Sequence, residues 1–243
     1  MKVFISRFAG RPLCQCRYIT FFIIISSLVI IFVPWYVYVC FNSYLVELSH
    51  ETTKEELRWY PLVPTGSCKN LRLAVFVASH PADKARRNAI RRTWAQHLLE
   101  LLPATRVFFV LGLPATPEIQ YEALENGDLL TGNFLDSYRN LTLKSVTFFE
   151  WYKNNCDSKF VFKIDSDIFI FTWEFQKFII ELENNTADIN TEKFWCWAFN
   201  RPNVNRNMFN KWFVSKKFYA ENQYPNHCSG TSYLMTKPVP AVS

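Results

Sequence analysis

Two aspartates separated by one residue are the side chains in this sequence best suited to bind a metal ion. Asp165 and Asp167 interrupt an otherwise largely apolar and aromatic run, FVFKIDSDIFIF (160–171). Alternate side chains of an extended chain point the same way, so both carboxylates are expected on one side of a strand. Two hard oxygen ligands held together suit Mg²⁺ or Mn²⁺, especially a cation shared with a diphosphate. The alternative is an ordinary solvated turn, which the flanking phenylalanines make a poor fit.

Basic side chains in two other segments could bind phosphate. In RRNAIRRTW (86–94), Arg87 and Arg91 share one face of a predicted helix. Paired guanidinium groups suit a phosphate or a buried carboxylate, and the alternative, favoured on spacing alone, is a solvated basic helix face. In FLDSYRNLTLK (134–144), Asp136 precedes Lys144, whose ammonium group could neutralise a phosphate or could simply be solvated.

A turn-rich segment near the C-terminus mixes aromatic residues with proline and glycine. Its sequence is YPNHCSGTSY (224–233), and the residues that could contact a ligand are Tyr224, Pro225, Gly230 and Tyr233. Aromatic rings in such a loop could line a sugar pocket by stacking on the sugar. The alternative is a surface connection without a binding role.

These candidate residues lie in a predicted alternation of strands and helices. β-Branched and aromatic runs predict strands at 71–79, 106–113, 160–171 and 193–199. Helical spacing predicts helices at 82–102, 117–126, 141–155 and 173–185. The alternation predicts an α/β fold with a mostly parallel sheet and flanking helices, in which ligands bind at the carboxyl ends of the strands. The sequence has no G-x-G-x-x-G, P-loop, H-E-x-x-H or G-x-S-x-G motif, which argues against common dinucleotide enzymes, NTPases, zincins and α/β-hydrolases.

The N-terminal part of the chain predicts a membrane anchor. Residues 19–41 are 23 uncharged, mostly apolar residues, enough for a helix to cross a bilayer. Four basic residues and no acidic residue precede them, so the positive-inside rule places residues 1–18 in the cytosol and the rest of the chain across the membrane. A cleaved signal peptide is the alternative, but its apolar run would be shorter and would end at small residues. We therefore predict a cytosolic tail at 1–18, a signal anchor at 19–41, a lumenal stem at 42–70 and a folded domain at 71–243.

The charge distribution argues against a nucleic-acid partner. The net charge is +6, from 27 basic and 21 acidic side chains, but residues 1–17 supply four of the basic ones. The rest of the chain carries 23 basic and 21 acidic groups, so its balance is only +2. A protein that binds nucleic acid would instead present its basic residues on the folded domain.

The cysteines and two sequons fit a lumenal domain. Four cysteines lie in the predicted lumenal part: Cys68, Cys156, Cys196 and Cys228. An oxidising compartment favours one or two disulfides among them, with a connectivity that the sequence leaves open. A zinc site is not expected, because no two of them form a C-x-x-C pair and the four histidines lack ligand spacing. N-glycosylation sequons begin at Asn140 and Asn184, and we expect at least one to be used.

Taken together, these segments resemble the β1,3-galactosyltransferase family of inverting glycosyltransferases, which includes β1,3-N-acetylglucosaminyltransferases. The matching pieces are, in order, RNAIRRTW (87–94), FFVLG (108–112), ENGDLLTGNFLDSYRNLTLKS (125–145), Trp151 with Cys156, FVFKIDSDIFI (160–170), NKWFVS (210–215) and YPNHCSGTSYLMT (224–236). They span nearly all of the predicted lumenal domain. A short cytosolic tail followed by one signal anchor is also the organisation of this family.

The resemblance implies a GT-A fold, in which a nucleotide-sugar-binding sheet carries a D-x-D motif at the end of a central strand. It implies Mn²⁺ as cofactor, with Asp167 as a metal ligand and Asp165 contacting the ribose or the metal shell. The cation would stabilise the UDP diphosphate as leaving group. Four further residues are expected around the donor: Arg87, Arg91, Asp136 and Lys144.

The implied reaction is the transfer of galactose or N-acetylglucosamine from a UDP-sugar to the 3-hydroxyl of an acceptor sugar, with inversion. UDP-galactose or UDP-N-acetylglucosamine would be the donor, and a glycan on a glycoprotein or glycolipid would be the acceptor. The segment 224–233 would supply the acceptor loop. The family also implies a single-pass type II protein of the Golgi membrane with a lumenal catalytic domain.

The sequence departs from the family pattern at three places. Ser166 stands where a third acid is usual, and Ser232 stands where the C-S-G-T-G-Y-like loop has its second glycine. The acidic segment expected to supply the catalytic base would lie beyond Ser243, so no catalytic residue is predicted. The alternative function is therefore a catalytically incomplete membrane glycoprotein that binds the donor or regulates a longer transferase.

Overall fold

The computed structural model describes residues 60–185 and 192–236 of the chain. The predicted cytosolic tail, 1–18, and the predicted signal anchor, 19–41, lie outside the described residues. Within the described residues, no helix is both long enough and apolar enough to cross a bilayer. The stem predicted at 42–70 is described from residue 60 onward.

A six-stranded sheet forms the centre of the described structure. Its strands in chain order are β1 Cys68–Ala78, β2 Thr105–Leu113, β3 Leu129–Leu135, β4 Cys156–Asp165, β5 Phe194–Phe199 and β6 His227–Thr236. Their order across the sheet is β3-β2-β1-β4-β6-β5. The first four strands run parallel, whereas β6 runs antiparallel to both β4 and β5. The predicted α/β fold with a mostly parallel sheet is therefore confirmed.

Helices connect the parallel strands and cover the sheet. They are α1 Lys84–Ile90, α2 Gln96–Leu101, α3 Pro117–Asn126, α4 Leu141–Asn155 and α5 Thr172–Asn184. A π-helical turn, Arg91–Ala95, joins α1 to α2, so the helix predicted at 82–102 is interrupted. The hydroxyl of Thr93 donates to the carbonyl of Ala89 at 2.7 Å, and a bond of this kind bends helices, which gives a local reason for the interruption.

The sequence predicts β4 only in part and does not predict β6 as a strand. β4 stops at Asp165, and Ser166–Asp167 form a turn before the chain reaches α5. The strand predicted at 160–171 is therefore wrong beyond Asp165, and strand alternation does not align the two aspartate side chains. The segment 224–233, predicted as a loop, is a strand from His227 onward because it pairs with β4 and β5. The patterns also do not predict β3.

The described part of the predicted stem packs on the domain. Leu62 pairs with Thr131 of β3 as an isolated bridge. The guanidinium group of Arg106 donates to the carbonyls of Thr65, at 2.7 Å, and Ser67, at 2.9 Å. β1 then begins at residue 68, before the predicted start of the domain at residue 71.

Glycine is required at the end of α3. Gly127 ends the helix with a φ of 66°, in the left-handed region that other residues rarely adopt. A Cβ atom at this position would also lie only 2.2 Å from the hydroxyl oxygen of Thr65. The N–H group of Thr65 donates to the carbonyl of Gly127 at 3.0 Å, so the close approach holds the chain before β1 against the end of this helix.

Two apolar layers cover the sheet because alternate residues of its central strands face opposite sides. Leu73, Val75 and Val77 of β1 belong to the layer packed by α1, α2, α3 and α5. Ala74 and Phe76 of the same strand belong to the layer packed by α4. This alternation fixes the register of β1, since a slip by one residue would exchange the two layers.

An aromatic cluster fills the layer under α4. Phe76 is fully buried, and its ring centroid lies 5.2 Å from that of Phe108 and 4.9 Å from that of Phe148. Trp151 and Tyr152 meet the same ring edge-on, each at 6.2 Å. Burial of such a ring contributes about 1.5–3 kcal/mol, and each aromatic pair adds about 0.5–1.5 kcal/mol. The cluster is therefore a main source of stability for β1, the central strand of the parallel part.

Two disulfides join strands of the sheet. Cys68–Cys156 links the beginnings of β1 and β4, and Cys196–Cys228 links β5 to β6. The prediction of one or two disulfides among these four cysteines is confirmed. The first bond closes a separation of 88 residues, and closing a loop of that length restricts the unfolded chain by about 4–5 kcal/mol.

We expect Phe76→Ala to lower the free energy of unfolding by about 3–5 kcal/mol, because it removes the centre of the aromatic cluster and leaves a cavity. Denaturant unfolding followed by circular dichroism would measure the change. The matched control is Phe218→Ala, which removes the same ring from a position that is 65% exposed and should change stability by less than about 0.5 kcal/mol. Equal effects of the two substitutions would contradict the role of the cluster.

Candidate functional site

The ends of β1 to β4 lie side by side and form a surface that we name the carboxyl edge, made of Ala78, Leu113, Leu135, Asp165 and the residues that directly follow them. Main-chain hydrogen bonds extend beyond the strands here. The N–H of Ser79 donates to the carbonyl of Val110 at 3.0 Å, and the N–H of Ser166 donates to the carbonyl of Ala78 at 3.0 Å. The loops that leave the strands are thus held together by backbone contacts before any side chain contributes.

A buried ion pair joins three strands at the carboxyl edge. The ammonium group of Lys144, from α4, lies 2.9 Å from the carboxylate of Asp136 and donates to the carbonyl of Ser79 at 2.6 Å. The same carboxylate accepts the N–H of Gly112 at 2.7 Å. Because these partners follow or end β1, β2 and β3, one pair ties all three strands to α4. Lys144 is only 4% exposed, so the alternative of a solvated lysine is wrong.

The surroundings of Lys144 weaken its hold on a proton. Burial lowers the pKa of the Lys144 ammonium group, and the neighbouring charges of Asp136 and Asp165 raise it only in part. The main-chain hydrogen bond from Ser166 to Ala78 brings the end of β4 next to Ser79, whose carbonyl accepts from Lys144. The predicted donor residues Asp136, Lys144 and Asp165 therefore lie in one cluster.

Arg87 is fully buried, and all of its donors face protein acceptors. It forms a two-point ion pair with Glu122 of α3, at 2.8 and 2.7 Å. Its remaining N–H groups donate to the hydroxyl of Ser79, at 3.2 Å, and to the carbonyls of His80, at 2.6 Å, and Pro81, at 3.1 Å. Of the sequence alternatives, the buried carboxylate is the partner observed. Arg87 thus fixes the loop that follows β1, and a direct contact with a donor stays a prediction.

Arg91 completes the same network from the π-helical turn. Its guanidinium group pairs with Asp128 through two contacts of 2.8 Å and with Glu122 through one of 2.8 Å. Burial alone would raise the pKa of Glu122, but the hydrogen bonds and charges of Arg87 and Arg91 outweigh it and lower that pKa. The alternative of a solvated basic helix face is wrong for both arginines. The sequence gives no local signal for Glu122 or Asp128, because each lies more than 30 residues from its partner.

The two aspartates of the D-x-D motif have different surroundings. The side chain of Asp165 is 28% exposed and accepts a hydrogen bond from Lys163, a residue that the sequence patterns did not single out. Asp167 is exposed on the turn after β4. Lys163 is 7% exposed and also donates to the carbonyl of Gly230 on β6. The sequence signal for Lys163 was its position inside an apolar strand, two residues before an aspartate.

These carboxylates suit a cation that is shared with a ligand. Across residues 60–185 and 192–236, no group of three or more His, Cys, Asp or Glu side chains could hold a metal ion by itself. Two hard oxygen ligands, from Asp165 and Asp167, match the way Mg²⁺ and similar cations bind through one or two carboxylates while phosphate oxygens and water complete the coordination. The donor set therefore fits a divalent cation that arrives with a diphosphate.

The residues predicted for the acceptor loop fall into two groups. Gly230 and Tyr233 lie on β6, where Tyr233 is the register partner of Lys163. Burial is the main reason that the pKa of the Tyr233 phenol is raised to about 12, and a hydrogen bond with Ser145 offsets it only in part. Tyr224 and Pro225 precede the strand, and the Tyr224 ring packs on the rings of Tyr219 and His227. Gly230 and Tyr233 are therefore strand residues beside Asp165, not loop residues.

The two sequons differ in accessibility. Asn140 is 7% exposed, and its side-chain amide donates to the carbonyl of Leu135 at 2.9 Å. Asn184 is exposed at the end of α5. Because a glycan would be attached to the amide nitrogen, only Asn184 presents that atom to solvent.

The chain is similar to known glycosyltransferases. The sequence profile described as galactosyltransferase matches residues 85–241. The human UDP-GalNAc:beta-1,3-N-acetylgalactosaminyltransferase 1 is 30% identical over 241 residues, covering 88% of this chain and 68% of the relative. Human beta-1,3-galactosyltransferase 5 is 35% identical over 172 residues, covering 69% of this chain and 54% of the relative. Human beta-1,3-galactosyltransferase 9 is 29% identical over 189 residues, covering 75% and 50%.

These relatives are longer than the chain. The matched region spans 68% of the first of them and about half of the other two. The profile match, 85–241, contains β2 to β6, α2 to α5 and all of α1 except Lys84, so it covers the carboxyl edge apart from the end of β1.

We expect a glycan at Asn184 and none at Asn140 when the chain passes through the secretory pathway of cultured cells. Asn184→Gln should increase gel mobility by one glycan, because the exposed amide is removed. Asn140→Gln is the matched control and should leave mobility unchanged. Glycosidase digestion before electrophoresis checks that the difference is carbohydrate. A mobility change in the Asn140 variant alone would contradict the assignment.

Proposed function

Because this chain belongs to the galactosyltransferase family, we propose that it is a hexosyltransferase that moves a sugar from a UDP-sugar donor to an acceptor glycan. The sugar is galactose or N-acetylglucosamine, and the name of the first human relative adds N-acetylgalactosamine as a third donor to test. The transfer goes to the 3-hydroxyl of the acceptor sugar, with inversion. The acceptor is a glycan on a glycoprotein or a glycolipid.

The observation that carries the proposal is the cluster of paired charges at the carboxyl edge. Lys144 with Asp136, and Lys163 with Asp165, meet where parallel strands end, which is where α/β sheets bind nucleotides. A diphosphate brings concentrated negative charge, and a buried ammonium group such as that of Lys144 stabilises it more strongly than a solvated one. Asp167 adds a carboxylate within reach of a shared cation.

The residues of this chain bind and orient the donor in the proposed reaction. Arg87 holds the loop after β1, so that the Ser79 carbonyl keeps the Lys144 ammonium group in place. Asp165 faces the ribose, and Asp167 holds the cation. When bound, Mn²⁺ supplies a Lewis acid that stabilises the charge on the leaving UDP. Tyr233, whose phenol is protonated at neutral pH as in any tyrosine and whose pKa burial raises further to about 12, donates a hydrogen bond on the acceptor side.

We place the protein in the Golgi membrane as a single-pass type II protein with a lumenal domain. The uncharged stretch at 19–41, preceded by basic residues, supports this orientation. The two disulfides support an oxidising compartment around the domain. The folded domain has no charge excess that would favour nucleic acid as a partner.

A second candidate function is a membrane glycoprotein that binds the donor without transferring it. The observation in its favour is that the charged groups proposed to bind the donor, Lys144, Asp136 and Asp165, form ion pairs at the carboxyl edge, whereas no catalytic base is assigned among the described residues. Binding and turnover therefore need separate measurements.

We expect UDP to bind the full chain only in the presence of Mn²⁺, and Asp167→Ala to abolish that binding because it removes the exposed metal ligand. Isothermal titration with UDP, with and without Mn²⁺, measures both effects. Glu174→Ala is the matched control, since it removes another exposed carboxylate, which lies on α5 and pairs with Lys177. If the Asp167 variant keeps the affinity of the unmodified chain, the metal role assigned to this residue is wrong.

The transferase itself is tested by a transfer assay with the full chain, Mn²⁺ and a panel of acceptor glycans. UDP-galactose, UDP-N-acetylglucosamine and UDP-N-acetylgalactosamine are offered in parallel. A product that requires Mn²⁺ and is absent with Asp167→Ala is the expected result. Binding of UDP without any product would favour the second candidate, and loss of both would contradict either function.

A further inference from the structure

Lys163 is a buried lysine that belongs to the charge cluster at the carboxyl edge and has no function of its own in the proposed reaction. It lies on β4 between two core residues, Phe162 and Ile164, and is itself 7% exposed. Alternation along the strand puts Lys163 on the same side as Asp165. Its ammonium group donates to the carboxylate of Asp165 and to the carbonyl of Gly230 on β6. Lysines are rarely buried unless they are paired, so this position needs a reason.

Strand pairing alone does not need this lysine. β4 and β6 pair through five successive register positions, from Phe160 with Thr236 to Ile164 with Ser232. Asp165 and Gly230 lie just beyond the last of these positions. The ammonium group therefore spans the point where the two strands stop pairing, and it connects a carboxylate to a backbone carbonyl there. What it fixes is the direction of the Asp165 side chain.

The charges around Lys163 leave Asp167 as the unneutralised carboxylate of the motif. Lys144 is paired with Asp136, and Lys163 is paired with Asp165. The two ammonium groups are close enough for Lys163 to disfavour the charged form of Lys144. Asp167, exposed on the turn, is not one of these pairs. A cation that approaches the motif therefore meets one neutralised carboxylate and one free negative charge.

We propose that Lys163 is a positioning residue that holds Asp165 against β6, keeps it from binding the cation on its own, and so makes cation and nucleotide bind together. The inference rests on the proposed function and adds that tight binding of the cation depends on binding of UDP. In the unmodified chain, Mn²⁺ alone binds weakly through Asp167, and the diphosphate of UDP supplies the ligands that make binding tight. Gly230 lies five residues after Pro225, which belongs to the proposed acceptor loop. The contact between Lys163 and Gly230 therefore links Asp165, on the proposed donor side, to the strand that follows that loop.

Lys163→Met tests the proposal, because it keeps the aliphatic part of the side chain and removes the ammonium group. Asp165, at 28% exposure, then regains a free charge beside Asp167. The affinity for Mn²⁺ alone should rise about tenfold, and the affinity for UDP at saturating Mn²⁺ should fall about tenfold, the size expected for one charge-assisted hydrogen bond. Lys163→Arg keeps the positive charge and should retain the unmodified pattern. Lys159→Met is the matched control, an exposed lysine on the same strand.

Two measurements on the full chain give the readout. Electron paramagnetic resonance of free Mn²⁺ reports binding of the metal alone, and calorimetry reports UDP binding at fixed Mn²⁺. A loss of folding would lower both affinities together, whereas the proposal requires them to move in opposite directions. In the Asp165→Asn background, adding Lys163→Met should leave the Mn²⁺ affinity unchanged, because Lys163 is proposed to act through that carboxylate.

The outcomes separate this inference from the proposed function. If UDP binds with Mn²⁺ but Lys163→Met changes neither affinity, the inference fails and the donor site stands. If the unmodified chain binds Mn²⁺ as tightly without UDP as with it, the inference also fails, whatever the variants do. If the unmodified chain binds no UDP in the presence of Mn²⁺, the proposed function and the inference fall together.

Discussion

The free-energy cost of burying a charge without a partner shapes the carboxyl edge of this protein. A buried guanidinium, ammonium or carboxylate group loses its water, and only an opposite charge and a full set of hydrogen bonds offset that loss. Here Arg87 pairs with Glu122, Lys144 with Asp136 and Lys163 with Asp165. The first two pairs join different segments of the chain, and the third joins two neighbouring residues on the same side of β4. These ion pairs therefore fix the relative positions of loops that would otherwise be independent.

One of these links crosses the seam between the parallel and antiparallel parts of the sheet, because Lys163 on β4 also donates to the carbonyl of Gly230 on β6. Strands β1 to β4 bring the groups proposed to bind the donor to one edge, while β6 runs in the opposite direction and begins there. Reversal of one strand therefore places the start of β6, with Gly230, next to the end of β4, with Asp165. A sheet with β6 parallel to β4 would have put Gly230 and the segment before it at the far end. Strand direction, as much as residue type, assembles the site.

The sequence predicted the fold class, four of the six described strands and the grouping of Asp136, Lys144 and Asp165 in one region, because these depend on local patterns and on family motifs. It did not predict β3 or β6 as strands. β3 contains Gly132, where a Cβ atom would lie 2.5 Å from the ring of Phe134, so close packing replaced the usual β-branched residue with a glycine. Partners such as Glu122, 35 residues from Arg87, were invisible because pairing at that distance depends on the tertiary fold. Alternation failed at Asp167 for a different reason, since the strand ends at Asp165.

The disulfide between Cys68 and Cys156 also governs how the domain responds to mechanical force. The chain enters the sheet at β1, so a pull on the residues before Cys68 would act along a strand flanked on both sides by parallel neighbours. The covalent bond passes part of that tension directly to the start of β4, and the two central strands share it. Because the bond lies at the end of these strands opposite to Asp165, traction on the N-terminal side would be taken up before it could stretch the carboxyl edge. A pull on the N-terminal side of this domain would therefore leave the arrangement of charged groups at the carboxyl edge intact.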